Sequence, residues 1–304
     1  MAFFTGTGTA LATPFHADDS IDFESLGRLI DMQIAGGVEA LIACGSTGES
    51  ATMNDEERLA VIGFTVERAR AAGEKKPAVI AGTGLNVTHT TIEFSRRAVA
   101  LGVDGLLLVN PYYNKPTQRG LLAHFGAVAT ALPDVSIILY NVPARTGGNM
   151  SAETTLELAH RYTNIVAIKE ASGDLDQCSS IIRNAPEGFS LLSGDDSFTL
   201  PLMAIGAAGV IAVVSNEAPR EFGDMVRHAL AGRYAEARAL HHRLFPLMRA
   251  NAIESNPVPV KEALGMMGIF SSVHFRSPLV PLAEAGREQL RTVLEELDLA
   301  ATPV

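Results

Sequence analysis

Two cysteines in 304 residues, Cys44 and Cys178, are too few and too far apart for a disulfide framework. Both lie in apolar or helical-looking stretches, which fits reduced thiols filling the core of a cytoplasmic protein. No run of lysine and arginine occurs and the formal net charge is -10, so the field of the chain repels phosphate backbones and anionic membrane surfaces. Nucleic acid and membrane partners are not expected. The opening MAFFTGTGTALATPF is broken by Gly, Thr and Pro and lacks the regions of a secretion signal. No apolar run of about twenty residues, the length a bilayer crossing needs, follows it.

Nucleotide and metal signatures are also missing. No GxGxxG or Walker-type loop follows an apolar run, and Gly82-Thr83-Gly84 lacks a third glycine and a helix-opening basic residue. His241 and His242 are adjacent, so on a helix they diverge by about 100° and do not share a metal. Asp195-Asp196 has no His or further carboxylate cluster beside it and reads as a cap for the next helix. No cofactor and no catalytic metal is expected.

What the chain does have is 47% hydrophobic residues arranged in a repeating rhythm. Short apolar runs alternate with longer amphipathic stretches to about residue 213, the pattern of βα units around a parallel sheet. The runs Gly8 to Thr13, Ala40 to Ala43, Ala78 to Ala81, Gly105 to Val109, Val135 to Tyr140, Ile165 to Ile168, Ser190 to Leu192 and Val210 to Val213 match an α/β fold, a (β/α)8 TIM barrel. Asn54 with Glu57 reads as a capping box, followed by Leu59, Ile62 and Val66 on one helical face. Phe23, Leu26, Leu29 and Ile30 mark the first crossover helix in the same way. After Pro219 only helical patterns remain, through 222–230, 234–249, 260–267 and 283–297. The expected organisation is a catalytic barrel over residues 1–218 and a C-terminal helical extension over 219–304, docked without a flexible linker.

Barrel enzymes carry their reactive groups at the C-terminal ends of the strands. Here those ends read GSTGES (45–50), NPYYNKP (110–116), YNVPARTG (140–147) and KEASGD (169–174). Lys169 follows the apolar NIVAI (164–168); burial disfavours its charged form and supplies the neutral amine that attacks a carbonyl. The plainer alternative is a lysine paired with Glu170 or reaching for solvent. In the turn Gly45-Ser46-Thr47-Gly48, two hydroxyls and several backbone N–H groups suit a carboxylate, although such turns are common in loops. Tyr140 ends the strand beside Lys169 and is placed to pass protons, or else is a core aromatic. Arg145 offers a planar fork for a second carboxylate, against the alternative of a solvent-exposed loop residue. Tyr112 and Tyr113, in a Pro-flanked loop, suit a subunit interface or a loop anchor.

Taken in order, GSTGES, NPYYNKP, YNVPARTG, IKEASGD, SGDD and ESNPVPVKEAL resemble the dihydrodipicolinate synthase family of the pyruvate-dependent class I aldolases, over essentially the whole chain. The resemblance implies an imine between pyruvate and Lys169, proton shuttling by Tyr140, and pyruvate binding by Thr47 with Gly48 and the backbone near Ile211. It implies a relay through Ser46 and Tyr113, the latter from a neighbouring subunit of a homotetramer built from dimers. It also implies that Arg145 holds the carboxylate of L-aspartate 4-semialdehyde, in the diaminopimelate route to lysine. Two positions depart from the family. Ser46 stands where Thr is usual, so the hydroxyl survives without the rotamer restriction of a β-branch. The lysine-binding cleft of feedback-inhibited members reads Asp55, Arg58 and Thr90 here, while Ser50, Ala51, Asn86 and Tyr112 remain. Arg58 would repel the lysine ammonium, so weak or absent feedback is expected. The alternatives are a pyruvate-dependent aldolase or lyase acting on a sugar acid or hydroxy-oxo acid, and a barrel that only binds.

Overall fold

The computed structural model describes residues 3–301. Eight strands alternate with helices: β1 (Gly6–Ala10), α1 (Phe23–Gly36), β2 (Ala40–Ala43), α2 (Asp55–Ala71), β3 (Ala78–Gly82), α3 (Thr88–Ala100), β4 (Gly105–Val109), α4 (Gln118–Ala131) and β5 (Ser136–Asn141). Then come α5 (Pro143–Thr146), α6 (Ala152–Arg161), β6 (Ile165–Glu170), α7 (Leu175–Asn184), β7 (Ser190–Ser193), α8 (Thr199–Ala204) and β8 (Gly209–Ala212). All strand pairs are parallel, and β8 pairs with β1, so the sheet closes into the expected barrel. Helices α9 (Pro219–Leu230), α10 (Tyr234–Ala250), α11 (Val258–Met266) and α12 (Glu284–Glu296) follow.

Alternation along each strand divides the core in two. Ala10, Ile42, Ile80, Leu107, Ile138, Tyr140, Ala167, Leu192 and Ile211 fill the barrel interior. The intervening residues, such as Leu41, Leu108, Leu139, Ile168 and Val210, pack with the surrounding helices. The capping box at Asn54 and Glu57 is present, and Leu26, Leu29, Ile30, Ile62 and Val66 are buried as their spacing predicts. Cys44 and Cys178 are both buried and unpaired. Helix α9 packs on β1 and α1 as well as on α10, while α12 packs on α10 and α11. The extension is therefore tied to the barrel through its first helix.

Two strand limits differ from the sequence pattern. β1 begins at Gly6 and ends at Ala10, so the buried Leu11 to Thr13 form a loop instead of its last residues. GTGTA pairs because the barrel supplies neighbours on both sides, which propensity alone does not report. β6 runs on to Glu170, so Lys169 lies within the ladder, opposite Tyr140 on one side and Leu192 on the other.

Candidate active site

Lys169 has the same strand parity as Ala167 and therefore points into the barrel. It is buried, and its Nζ sits 4.5 Å from the centre of the Tyr140 ring. Glu170 has the opposite parity. Its carboxylate accepts from Asn141 Nδ2 at 3.1 Å, Ser172 N at 2.8 Å and Gln177 Nε2 at 2.9 Å. The strand thus turns the neighbouring acid away from Lys169, and no Lys169–Glu170 ion pair forms.

A cavity of about 290 Å³ opens at this end of the barrel. Lys169, Tyr140, Ser46, Thr47 and Arg145 all line it. The turn after β2 reaches it because Cys44 adopts a left-handed conformation (φ 58°), and a side chain on Gly82 would collide with the Cys44 carbonyl oxygen. Within that turn Gly48 N donates to Gly45 O at 3.1 Å and Glu49 N to Ser46 O at 3.2 Å. Gly48 is buried and lies outside the cavity lining, so its N–H shapes the turn. Ile211 is fully buried in the barrel interior, and Val213, two residues on, reaches the cavity wall. Tyr113 is 90% exposed, in a left-handed conformation (φ 71°), and does not line the cavity.

Several wall residues carried no assigned role in the sequence. Asn256 donates from Nδ2 to Thr47 Oγ1 at 3.0 Å, and its carbonyl accepts from Arg145 Nη2 at 3.0 Å. It therefore links the two candidate carboxylate anchors. It belongs to ESNPVPVKEAL, which carried the resemblance but offered no chemical motif of its own. Met248, Arg249, Asn251 and Ala252, at and beyond the end of α10, form the rest of that wall. Their helical pattern alone gives no hint that they face a pocket.

The expected cap is not formed: α8 begins after Phe198 with no side-chain cap, and Asp195 Oδ1 instead closes a turn ahead of the helix, accepting from Ser197 N at 2.9 Å and Phe198 N at 3.2 Å. Asp196 does something else. Its carboxylate spans to the loop after β8, accepting from Val213 N at 3.1 Å and Val214 N at 2.8 Å. Burial pushes its pKa up to about 6 against the pull of those two amides. Below the turn, Glu49 and Lys261 form a fully buried ion pair, and Lys261 also donates to His274 O at 2.7 Å. Burial pushes the Glu49 carboxyl up and the Lys261 ammonium down, opposing their mutual attraction. Among the described residues no group of three metal-ligating side chains occurs, and no helix is long and apolar enough to cross a membrane.

A closed (β/α)8 barrel with a lysine inside its mouth, an adjacent tyrosine and two candidate carboxylate anchors fits the class of Schiff-base-forming barrel enzymes. Residues 3–297 match the Dihydrodipicolinate synthetase family. The 4-hydroxy-tetrahydrodipicolinate synthase of Moorella thermoacetica is 50% identical over 291 residues, covering 96% of this chain and 97% of that one. That of Aquifex aeolicus is 46% identical, covering 97% and 98% respectively. The crystal structure of dihydrodipicolinate synthase from Aquifex aeolicus superposes with a TM-score of 0.94 at 44% identity, covering 99% of this chain and 100% of that one. The dihydrodipicolinate synthase from Cyanidioschyzon merolae, solved with lysine bound, gives 0.94 at 40% identity, covering 98% and 100%. The chain belongs to the dihydrodipicolinate synthetase family and is a Schiff-base-forming lyase of the class I aldolase type.

Proposed function

We propose that this chain is a 4-hydroxy-tetrahydrodipicolinate synthase that condenses pyruvate with L-aspartate 4-semialdehyde. The observation that carries the reading is the shared cavity of Lys169, Tyr140, Ser46, Thr47 and Arg145. Lys169 attacks the pyruvate ketone and releases water to form the imine, with Tyr140 handling the protons. Thr47, supported by Gly48 and the backbone near Ile211, holds the pyruvate carboxylate. Loss of a methyl proton gives the enamine, whose carbon attacks the aldehyde of the second substrate. The amine of that substrate then displaces Lys169 by transimination and closes the ring, so the overall reaction loses a single water.

Arg145 binds the semialdehyde carboxylate, and its anchorage on Asn256 supports that orientation. Ser46 and Tyr113 form the proton relay, Tyr113 crossing from a neighbouring subunit of a homotetramer. The exposure of Tyr113 favours that contribution, since an aromatic so placed is otherwise left in water. Cytoplasmic location and the division at residue 218 belong to the same reading. Arg145→Ala is expected to lower kcat/KM for the semialdehyde by roughly 10- to 100-fold while leaving the pyruvate imine intact, as loss of a charge-assisted bond requires. Unchanged condensation kinetics in that variant would favour a different second substrate.

A further inference from the structure

Beneath the C-terminal wall of the cavity lies a pair of side chains with more oxygen atoms than donors. Glu217 follows the turn Val214–Asn216 after β8 and is 1% exposed. Asn251 caps α10 and lines the cavity. Asn251 Nδ2 donates to Glu217 Oε2 at 2.7 Å. The other oxygen of each group, Glu217 Oε1 and Asn251 Oδ1, is buried without a hydrogen-bond donor. Both atoms are acceptors as long as Glu217 is ionised, and two orphaned buried acceptors in one contacting pair are expensive. A carboxyl and a carboxamide are planar groups of matching width. A single proton on Oε1 satisfies both orphans at once, as a second bond parallel to the first.

We propose that Glu217 is held as a neutral carboxylic acid in a doubly hydrogen-bonded pair with Asn251, and that this pair positions the C-terminal wall of the catalytic cavity against the loop after β8. Burial also raises the Glu217 pKa well above its ordinary value, and the Asp196 charge adds to that shift. Asp196 is the charged group that faces it, from the loop after β7. β1 and α1 meet the turn through neutral partners, Thr9 Oγ1 with Ser215 Oγ at 2.8 Å and Gln33 Nε2 donating to Asn216 O at 3.2 Å. On α11 the charges are committed elsewhere, Lys261 to Glu49 and Glu262 to Arg287 at 3.4 Å; on α9 Glu221 pairs with Arg243 at 3.1 Å. Arg249, on the α10 side, lines the cavity and is exposed. The same loop is tied to the barrel by Asn216, which donates to Ala10 O at 2.9 Å, and by Asp196. The acid–amide pair therefore joins the extension to the part of the barrel that closes the pocket.

The sign of the pH dependence separates this arrangement from an ionised glutamate. A neutral buried acid binds its proton more tightly when folded, so the native protein loses stability as pH rises above the unfolded value. Glu217→Gln keeps both bonds and carries no charge at any pH. Its melting temperature minus that of the native protein is expected to grow more positive from about pH 5 to about pH 8. A flat or falling difference overturns the neutral assignment. For the positioning role, which rests on the synthase reading, Glu217→Ala is expected to raise KM for the semialdehyde several-fold, with Glu217→Gln restoring it. A loss shared equally by pyruvate, or not restored by Gln, overturns that role; if Glu217→Ala does not fold, KM in Glu217→Gln against the native protein, measured across the same pH range, carries the test, and a shift in that variant overturns it. Failure to trap pyruvate on Lys169 in the native protein sinks the synthase reading instead, and leaves the melting comparison standing.

Discussion

Lys169 and Glu170 are adjacent in sequence, yet the strand sends one into the barrel and the other into a polar cluster with Asn141 and Gln177. That parity was readable, because the alternation of NIVAIKE fixes which residue shares a face with Ala167. Asp196, Asn251 and Asn256 were not readable as wall residues, since polar groups near loops and helix ends carry no signature of where they point. His124 was equally silent. It is buried, its Nδ1 pairs with Thr88 Oγ1 at 2.9 Å, and burial pulls its pKa down to about 4. A depressed histidine is neutral when folded, so its contribution is present at neutral pH and lost as pH falls from the ordinary 6.5 towards about 4. His124→Gln is expected to flatten the stability–pH curve in that window, measured by urea unfolding at successive pH values. An unchanged slope there would assign the acid sensitivity elsewhere.

Elements were legible where a hydrophobic period was long and flanked by clear signals. Helix α2 opens on its capping box, and the C-terminal helices fall within two or three residues of their expected limits. β1 was shifted because GTGTA has a weak strand pattern and Leu11 to Thr13 a strong apolar one. The docking of α11 on the turn after β2 was not foreseeable at all, because Glu49 and Lys261 are 212 positions apart. Their buried ion pair stitches the extension to the GSTGES turn. Lys261→Met leaves Glu49 without its cation in the core, and is expected to cost roughly 3–5 kcal/mol at neutral pH. The loss should shrink in acid, as protonation removes the Glu49 charge. Denaturant titrations at two pH values check this; a loss that does not depend on pH would mean that packing, not charge, dominates.

At the scale of the molecule, the barrel and its extension cannot be separated without consequence, since α9 covers β1 and α10 supplies the pocket wall. The count of strands predicted the barrel well because closure needs eight similar units, and repetition averages out errors at single boundaries. A second cavity of about 360 Å³ adjoins the first and is lined by Ser50, Ala51, Arg58 and Tyr112. Arg58 is buried over the Phe94 ring, 3.8 Å from its centre, with Asp55 at 3.7 Å. A cationic guanidinium in that position opposes an ammonium ligand, so lysine below millimolar concentration is expected to leave the condensation rate unchanged. Steady-state assays across a lysine series check this, and inhibition in that range would contradict it.

Every proposed step at this site depends on Lys169 being the imine-forming residue. Incubation with pyruvate, borohydride reduction and peptide mapping by mass tests it directly. A single pyruvate-derived adduct is expected on Lys169 and absent from Lys169→Ala. An unmodified Lys169, or an adduct on another lysine, would contradict it.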